Sequence, residues 1–180
     1  GDILTILSAV PANDGSTTFR PPWHGTWKPL FTTDKVMFNR LPKLSAVSNT
    51  NAVVGSAEGY QAWTVPQYDI NHVGGFSGEF YRATSPDDVM DNYAAFQASQ
   101  YNGNVFSTFG TESDAQKAPA VYTLIQKGID NYAIFKMGIP FSSGAGQHLG
   151  KKPPIAYFAA LYDDPAILEE VRSIAKDPQY

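Results

Sequence analysis

Residues 111–140 read TESDAQKAPAVYTLIQKGIDNYAIFKMGIP, an apolar-periodic segment set between a polar start and a Gly/Pro stop. Val121, Leu124, Ile125, Gly128, Ile129, Tyr132 and Phe135 recur at steps of three and four, the period that brings side chains to one face of an α-helix. Thr111-Glu112-Ser113-Asp114 supplies small polar groups suited to the unsatisfied amides of a helix start. Pro119 marks either a kink or the true first turn, and Gly138 with Pro140 ends the helix. This is the longest helix the chain predicts, with one face buried.

Similar signals flank it. Ser85-Pro86-Asp87-Asp88 places an N-cap, a first-turn proline and acids ahead of Val89, Met90, Tyr93, Phe96 and Gln97, with Gln100-Tyr101-Asn102-Gly103 as the stop. Lys151 to Leu161 predicts a third helix, with Pro153-Pro154 in its first turn and Ile155, Phe158, Ala159 and Tyr162 on one face. Asp164-Pro165 opens a fourth through Ile167, Leu168, Val171, Ile174 and Ala175, with Glu169 and Glu170 on its solvent side. Long and short connections alternate, as in the helix hairpins of a toroid or solenoid, although four helices are too few to close a toroid.

The first half reads differently. Ile3 to Ala9 is β-branched and apolar, hence a buried strand, and Pro11-Ala12-Asn13-Asp14-Gly15 turns the chain after it. Ala52-Val54 is its sole weak candidate partner, so residues 1–18 are expected to pair outside this piece or with another copy. Residues 19–84 are rich in aromatics, Pro and Gly without sustained period, which predicts ordered loop with short helices from Thr33-Lys35 to Arg40. The expected organisation is mainly α: antiparallel amphipathic helix hairpins over 85–180, preceded by one N-terminal strand and a long loop region. Residues 19–180 form a single helical domain.

Composition narrows the function. The 180 residues carry 13 Lys plus Arg against 17 Asp plus Glu, and charged residues make up 17%, below the roughly 25% of an ordinary soluble domain. With a net charge of -4 and no basic cluster beyond Lys151-Lys152, the electrostatic footprint of nucleic-acid binding is missing. No window of 18 uninterrupted apolar residues predicts a membrane span. There is no Cys, so thiol chemistry is excluded, and His24, His72 and His148 stand too far apart to predict a metal site. No cofactor is expected. Gly1 at the start points to a processed or excised piece.

Three stretches carry chemistry-bearing residues. Ser142 to Lys152 is a small-residue loop delivering His148, Lys151 and Lys152 to a helix start, where backbone amides favour an anion. It lacks the Ser/Thr of a phosphate-binding Walker loop. His148 and Lys151 are suited to neutralise a uronate carboxylate or a sulfate, with His148 or a nearby Tyr as general acid or base; a solvated connection explains the same residues equally well. Phe19 to Phe31 holds Arg20, Trp23, His24, Trp27 and Lys28 among prolines, either a sugar-stacking platform edged with charge or an aromatic anchor for the loop. Trp63 to His72 adds Asp69 and His72, a base with its orienter, followed by Glu79, Tyr81 and Arg82. Asp69 with Glu79 or Asp88 is the carboxylate pair a glycosidase would need.

At these residues the chain resembles a segment of a group of large secreted proteins of environmental bacteria. The resemblance rests on a Phe-Arg-Pro-Pro-aromatic-x-Gly-Thr-x-Lys stretch (Phe19 to Lys28), a Leu-x-Gln-x-Gly-Ile-Asp-x-Tyr helix and a Gly-rich loop before a Lys-x-Pro-Ile helix (Gly144 to Ile155). The helix motif corresponds to Leu124 to Tyr132; Lys151 stands where the group carries Arg, and Pro153 where it carries Trp. The resemblance implies a fragment or short divergent member and an extracellular or periplasmic location. The group's helical repeats look similar to toroid polysaccharide lyases and glycoside hydrolases, which implies, by analogy of fold, processing of an anionic polysaccharide or other glycan. In a lyase His148, Lys151 or Arg20 would neutralise the carboxylate and Tyr132, Tyr81 or His72 would be the base; in a hydrolase Asp69, Glu79 or Asp88 would serve. Trp23, Trp27 and Trp63 would stack on sugar rings, with Arg20, His24, Lys28 and Tyr81 at the edge. The competing classes are an assembly subunit of an extracellular fibre or particle that exchanges its N-terminal strand with copies of itself, and a carbohydrate-binding module without catalysis.

Overall fold

The computed structural model describes residues 17–22, 26–45, 101–138 and 152–174, and these are mainly helical. Helix α1 covers 101–107 of the described chain, α2 is Asp114–Lys136, α3 is Lys152–Leu161 and α4 is Pro165–Ile174. Two single-turn 3-10 helices, Thr33–Lys35 and Phe38–Arg40, stand where short helices are expected in the loop region. The strand expected over 3–9, Ala52–Val54 and the helix start at Ser85 lie outside the described residues.

Helix α2 starts where its sequence says. The Ser113 hydroxyl accepts from the Gln116 amide while the Gln116 side chain accepts from the Ser113 amide, a reciprocal capping box. The helix runs unbroken through Pro119 and ends at Met137, with Gly138 at a φ of 68° turning the chain out as an L side chain rarely does. Its middle is enclosed: every residue from Lys127 to Ile134 is buried, so α2 is the central element of the described structure.

Against it packs α3. Gly128 sits where the two backbones meet, since a Cβ there would fall 2.5 Å from Phe158 Cβ and closer still to the Pro154 carbonyl. Glycine is required by that approach, which lets Leu124, Ile125, Tyr132, Ile155 and Phe158 close the seam with little or no exposed surface. Asp164 then caps α4, its carboxylate accepting from the amides of Ala166 and Ile167 at 3.0 and 3.3 Å, and Pro165 takes the first position.

Helix α1 corrects a boundary. The expected stop at Asn102-Gly103 is passed, and the helix continues to residue 107. Gly103 faces open space and costs the helix only about 1 kcal/mol of propensity, whereas Tyr101 is wholly buried with its hydroxyl bonded to the Leu124 carbonyl of α2 at 3.1 Å. Tertiary anchoring outweighs the local breaker. Farther along, Thr108 meets the Tyr157 hydroxyl of α3 at 3.0 Å, and the Lys117 ammonium donates to the Gly110 carbonyl.

The loop segments close the opposite side. Phe19 donates to Phe31 at 2.8 Å and Thr33 to Thr17 at 2.9 Å around an antiparallel bridge between Thr18 and Thr32. Thr18, the last residue of the segment expected to pair elsewhere, therefore pairs within the chain. A second bridge joins Val36 to Tyr162, with Met37 donating to Leu161 and Asp163 donating to Lys35. Phe31, Phe158 and Tyr162 form a three-ring cluster with centroids 5.2 to 5.3 Å apart, which ties the loop to α3. Among the described residues no helix is long and apolar enough to cross a membrane.

Candidate functional site

Because Phe19 is pinned by its pairing with Phe31 and by an edge-on contact with Tyr122 at 5.7 Å, the next residue is delivered to the flank of α2. There Gln126 and Asp130, one helical turn apart, grip Arg20 twice. The Gln126 amide donates to the Arg20 carbonyl at 3.1 Å, and the Arg20 guanidinium pairs with the Asp130 carboxylate at 2.5 Å. Asp130 is almost wholly buried while about a third of the Arg20 side chain remains exposed, 3% against 34%. A second guanidinium nitrogen donates to the Pro21 carbonyl at 2.8 Å, fixing the plane of the group.

Lys28 belongs to the same cluster. Its ammonium donates to the Pro22 carbonyl, six positions earlier in the chain. Partial burial holds its pKa below the usual lysine value; the Asp130 charge opposes that shift and the Arg20 charge adds to it. Arg20, Lys28 and Asp130 therefore share one electrostatic neighbourhood.

Trp27 lies beside them, half-buried, with its ring edge-on to Phe31 at 6.1 Å and to Tyr132 at 5.7 Å. Tyr132 in turn stacks on Phe135 and meets Phe158, so its ring is held on several sides. Its hydroxyl donates to the Glu170 carboxylate of α4, and Lys136 donates to the other Glu170 oxygen at 2.8 Å while lying 6.0 Å over the Tyr132 ring. Burial first, and then the bond to Glu170, raise the phenol well above the ordinary tyrosine range. Burial pushes the Glu170 carboxyl up, but the hydrogen bonds from Lys136 and Tyr132 together outweigh it and hold the group below its ordinary value.

Of the residues singled out from the sequence, Arg20, Trp27, Lys28 and Tyr132 come together in this cluster. Trp23, His24, Trp63, Asp69, His72, Tyr81, His148 and Lys151 lie outside the described residues, as do Glu79, Arg82 and Asp88. Sequence reasoning gave no role to Gln126, Asp130 or Glu170, although Gln126 and Asp130 are the Gln and Asp of the Leu-x-Gln-x-Gly-Ile-Asp-x-Tyr motif. Glu170, read as a solvent-facing partner of Glu169, turns instead toward α2. Its spacing of three from buried Ile167 held that signal. Among the described residues no group of three or more His, Cys, Asp or Glu side chains is arranged to hold a metal ion. No family model, curated protein or solved structure matches the chain.

Proposed function

We propose that the chain acts on an anionic polysaccharide, as a lyase or glycoside hydrolase or as part of one. The observation that carries this reading is that one short segment brings Arg20 and Lys28 to Asp130 of α2 and sets Trp27 against Tyr132 of the same helix: two cations suited to an acidic substituent and, adjoining Lys28 in the chain, an aromatic ring suited to a sugar face. On this reading Arg20 and Lys28 hold a uronate carboxylate or a sulfate at the rim of the site. Trp23 and Trp63 extend the stacking surface, with His24 and Tyr81 at its edge.

Proton transfer falls to other residues. Tyr132 would have to ionise to act as a base, and its raised pKa together with its donation to Glu170 favours the neutral phenol. In a lyase the proton α to the uronate carboxylate would pass to His148 or His72 while Lys151 neutralises the enolate; in a hydrolase Asp69 would serve as one of the carboxylates. A secreted location, extracellular or periplasmic, belongs to this reading.

A second reading, a glycan-binding module without catalysis, draws support from the fact that Arg20, Lys28 and Tyr132 are each already bonded to protein groups. Incubating the chain with a polyuronate, a sulfated glycan and a neutral glucan separates the two. Turnover is expected with an acidic polymer, seen as new reducing ends or as the absorbance of an unsaturated uronate, and it should vanish in His148→Ala and Lys151→Ala with the fold intact. Binding without turnover, lost in Trp27→Ala and kept in His148→Ala, selects the module. No binding to any glycan overturns both, and an assembly role is then tested by whether removing residues 1–10 abolishes self-association.

A further inference from the structure

Glu170 is the described group with the least obvious place in the glycan reading, and its contacts lead directly to that site. It sits on α4, its two oxygens are taken by Tyr132 and Lys136 of α2, and the Tyr132 ring is the surface against which the Trp27 indole rests. Lys136 bridges the arrangement, with its ammonium over the Tyr132 ring and bonded to Glu170. The apolar residues of α4 that pack on the core, Ile167, Leu168 and Val171, carry no polar link to Tyr132. Among the described residues, the polar link from α4 to the Tyr132 hydroxyl is made by the Glu170 carboxylate.

We propose that Glu170 is a positioning residue for the Trp27 stacking surface: from α4 it orients the Tyr132 ring through its hydroxyl and fixes Lys136 over that ring, and both hold the indole in place. The inference rests on the glycan reading for its biological meaning but not for its geometry. With the acceptor gone, the Tyr132 hydroxyl is left at a largely buried position and must turn to find another partner, while Lys136 loses its counter-charge. Either change moves the ring face beneath Trp27.

The arrangement is also pH-sensitive in a definite direction. Among the described residues, the charged and titratable groups facing Glu170 are Tyr132 and Lys136 from α2, both donating to the carboxylate; on its own helix the Arg172 and Glu169 pair is exposed and separate. Asp164 reaches Tyr132 electrostatically. The folded carboxyl titrates below its ordinary value of 4.5, so the contact is complete above that value and is lost as the pH falls through the lower folded one.

The test uses the full chain and the Trp27 indole N–H signal in nitrogen-resolved NMR spectra, assigned by its absence in Trp27→Phe. The signal should shift on acidification with a midpoint below pH 4.5. In Glu170→Gln, which still accepts from the phenol but does not titrate, the native position should be kept and the acid shift lost. Glu170→Ala should displace the signal at neutral pH and weaken binding of a polyuronate on the order of fivefold. Should Glu170→Ala fail to fold, Tyr132→Phe carries the same test, because it removes the hydroxyl link while keeping the ring: it should displace the Trp27 signal and reduce the acid shift to the part that passes through Lys136. A Trp27 signal that stays put in both Glu170→Ala and Tyr132→Phe, or an acid shift that persists in Glu170→Gln, overturns the proposal. Movement of the indole with no binding of any glycan leaves the positioning role standing and defeats the glycan reading instead.

Discussion

Helix α2 does two different things on its two sides. Toward α3 it presents Leu124, Gly128 and Tyr132, and the backbones come so close that residue 128 must lack a side chain. Toward the loop at 17–31 and toward α4 it presents Gln126, Asp130 and Lys136, each holding a partner by a directed polar bond. The first side gains free energy from apolar area removed from water, which is non-directional and large. On the second, desolvation offsets much of each ionic attraction, and what remains is mainly orientation. Apolar packing and directed polar contacts are thus carried largely by different residues of one helix, and Tyr132 takes part in both.

The largest expected effect falls on the apolar side. Phe158 is completely buried at the seam, against Phe31, Tyr132 and Tyr162. Phe158→Ala removes that filling and should cost about 3 to 5 kcal/mol in urea unfolding, enough to leave a domain of this size barely folded. A loss below about 1 kcal/mol would break the division just drawn, because the seam would then contribute no more than a surface contact.

An intermediate effect should appear at alkaline pH, where the two sides meet in Tyr132. Burial, followed by the Glu170 contact, raises that phenol, and burial, followed by the Tyr157 interaction, raises Tyr101 well above the usual 10.0. The folded chain then binds these protons more tightly than the unfolded chain, so their contribution is complete below pH 10.0 and declines as the pH rises beyond it. Each phenol still protonated in the folded state and ionised in the unfolded one should lower stability by about 1.4 kcal/mol per pH unit. Unfolding followed across this range should show a shallower decline in Tyr132→Phe and in Tyr101→Phe. An unchanged slope in Tyr132→Phe would mean that its hydroxyl is hydrated and that the contact with Glu170 is not a constraint on the ring.

The difference between the two sides also explains what could be read from residues alone. The seam was legible because its determinants are local and periodic: the polar run Thr111 to Asp114 at the start, apolar residues every three or four positions, Gly138 at the end. Asp164-Pro165 and Pro153-Pro154 announced the next two helices for the same reason. The polar side was not legible. Arg20 and Asp130 are 110 positions apart, and nothing within either segment names the other. Glu170 was hidden by its neighbour, since a Glu-Glu pair on an amphipathic helix reads as solvated surface until Tyr132 and Lys136 are seen opposite it. The continuation of α1 through Asn102-Gly103 failed similarly, because the anchor that sustains it is the Leu124 carbonyl of another helix.

The smallest effect falls on a polar contact away from α2. Arg40 and Asp163 form an ion pair at 3.0 Å with both side chains substantially exposed, 39% and 54%, and a pair so hydrated should show a coupling energy of no more than about 1 kcal/mol in a double-mutant cycle. Arg40 also donates to the carbonyls of Ala160 and Tyr162 at 3.2 and 3.3 Å, where α3 ends and its last carbonyls find no donor within the helix. A cation there answers the negative end of the helix dipole as well as the orphaned oxygens. Asp163→Asn should therefore be nearly silent, and its slight effect should fade in added salt, whereas Arg40→Met should cost more and respond less to salt. Equal losses in the two variants would place the energy in the ion pair itself, and the polar contacts of this fold would then have to be counted as sources of stability rather than of orientation.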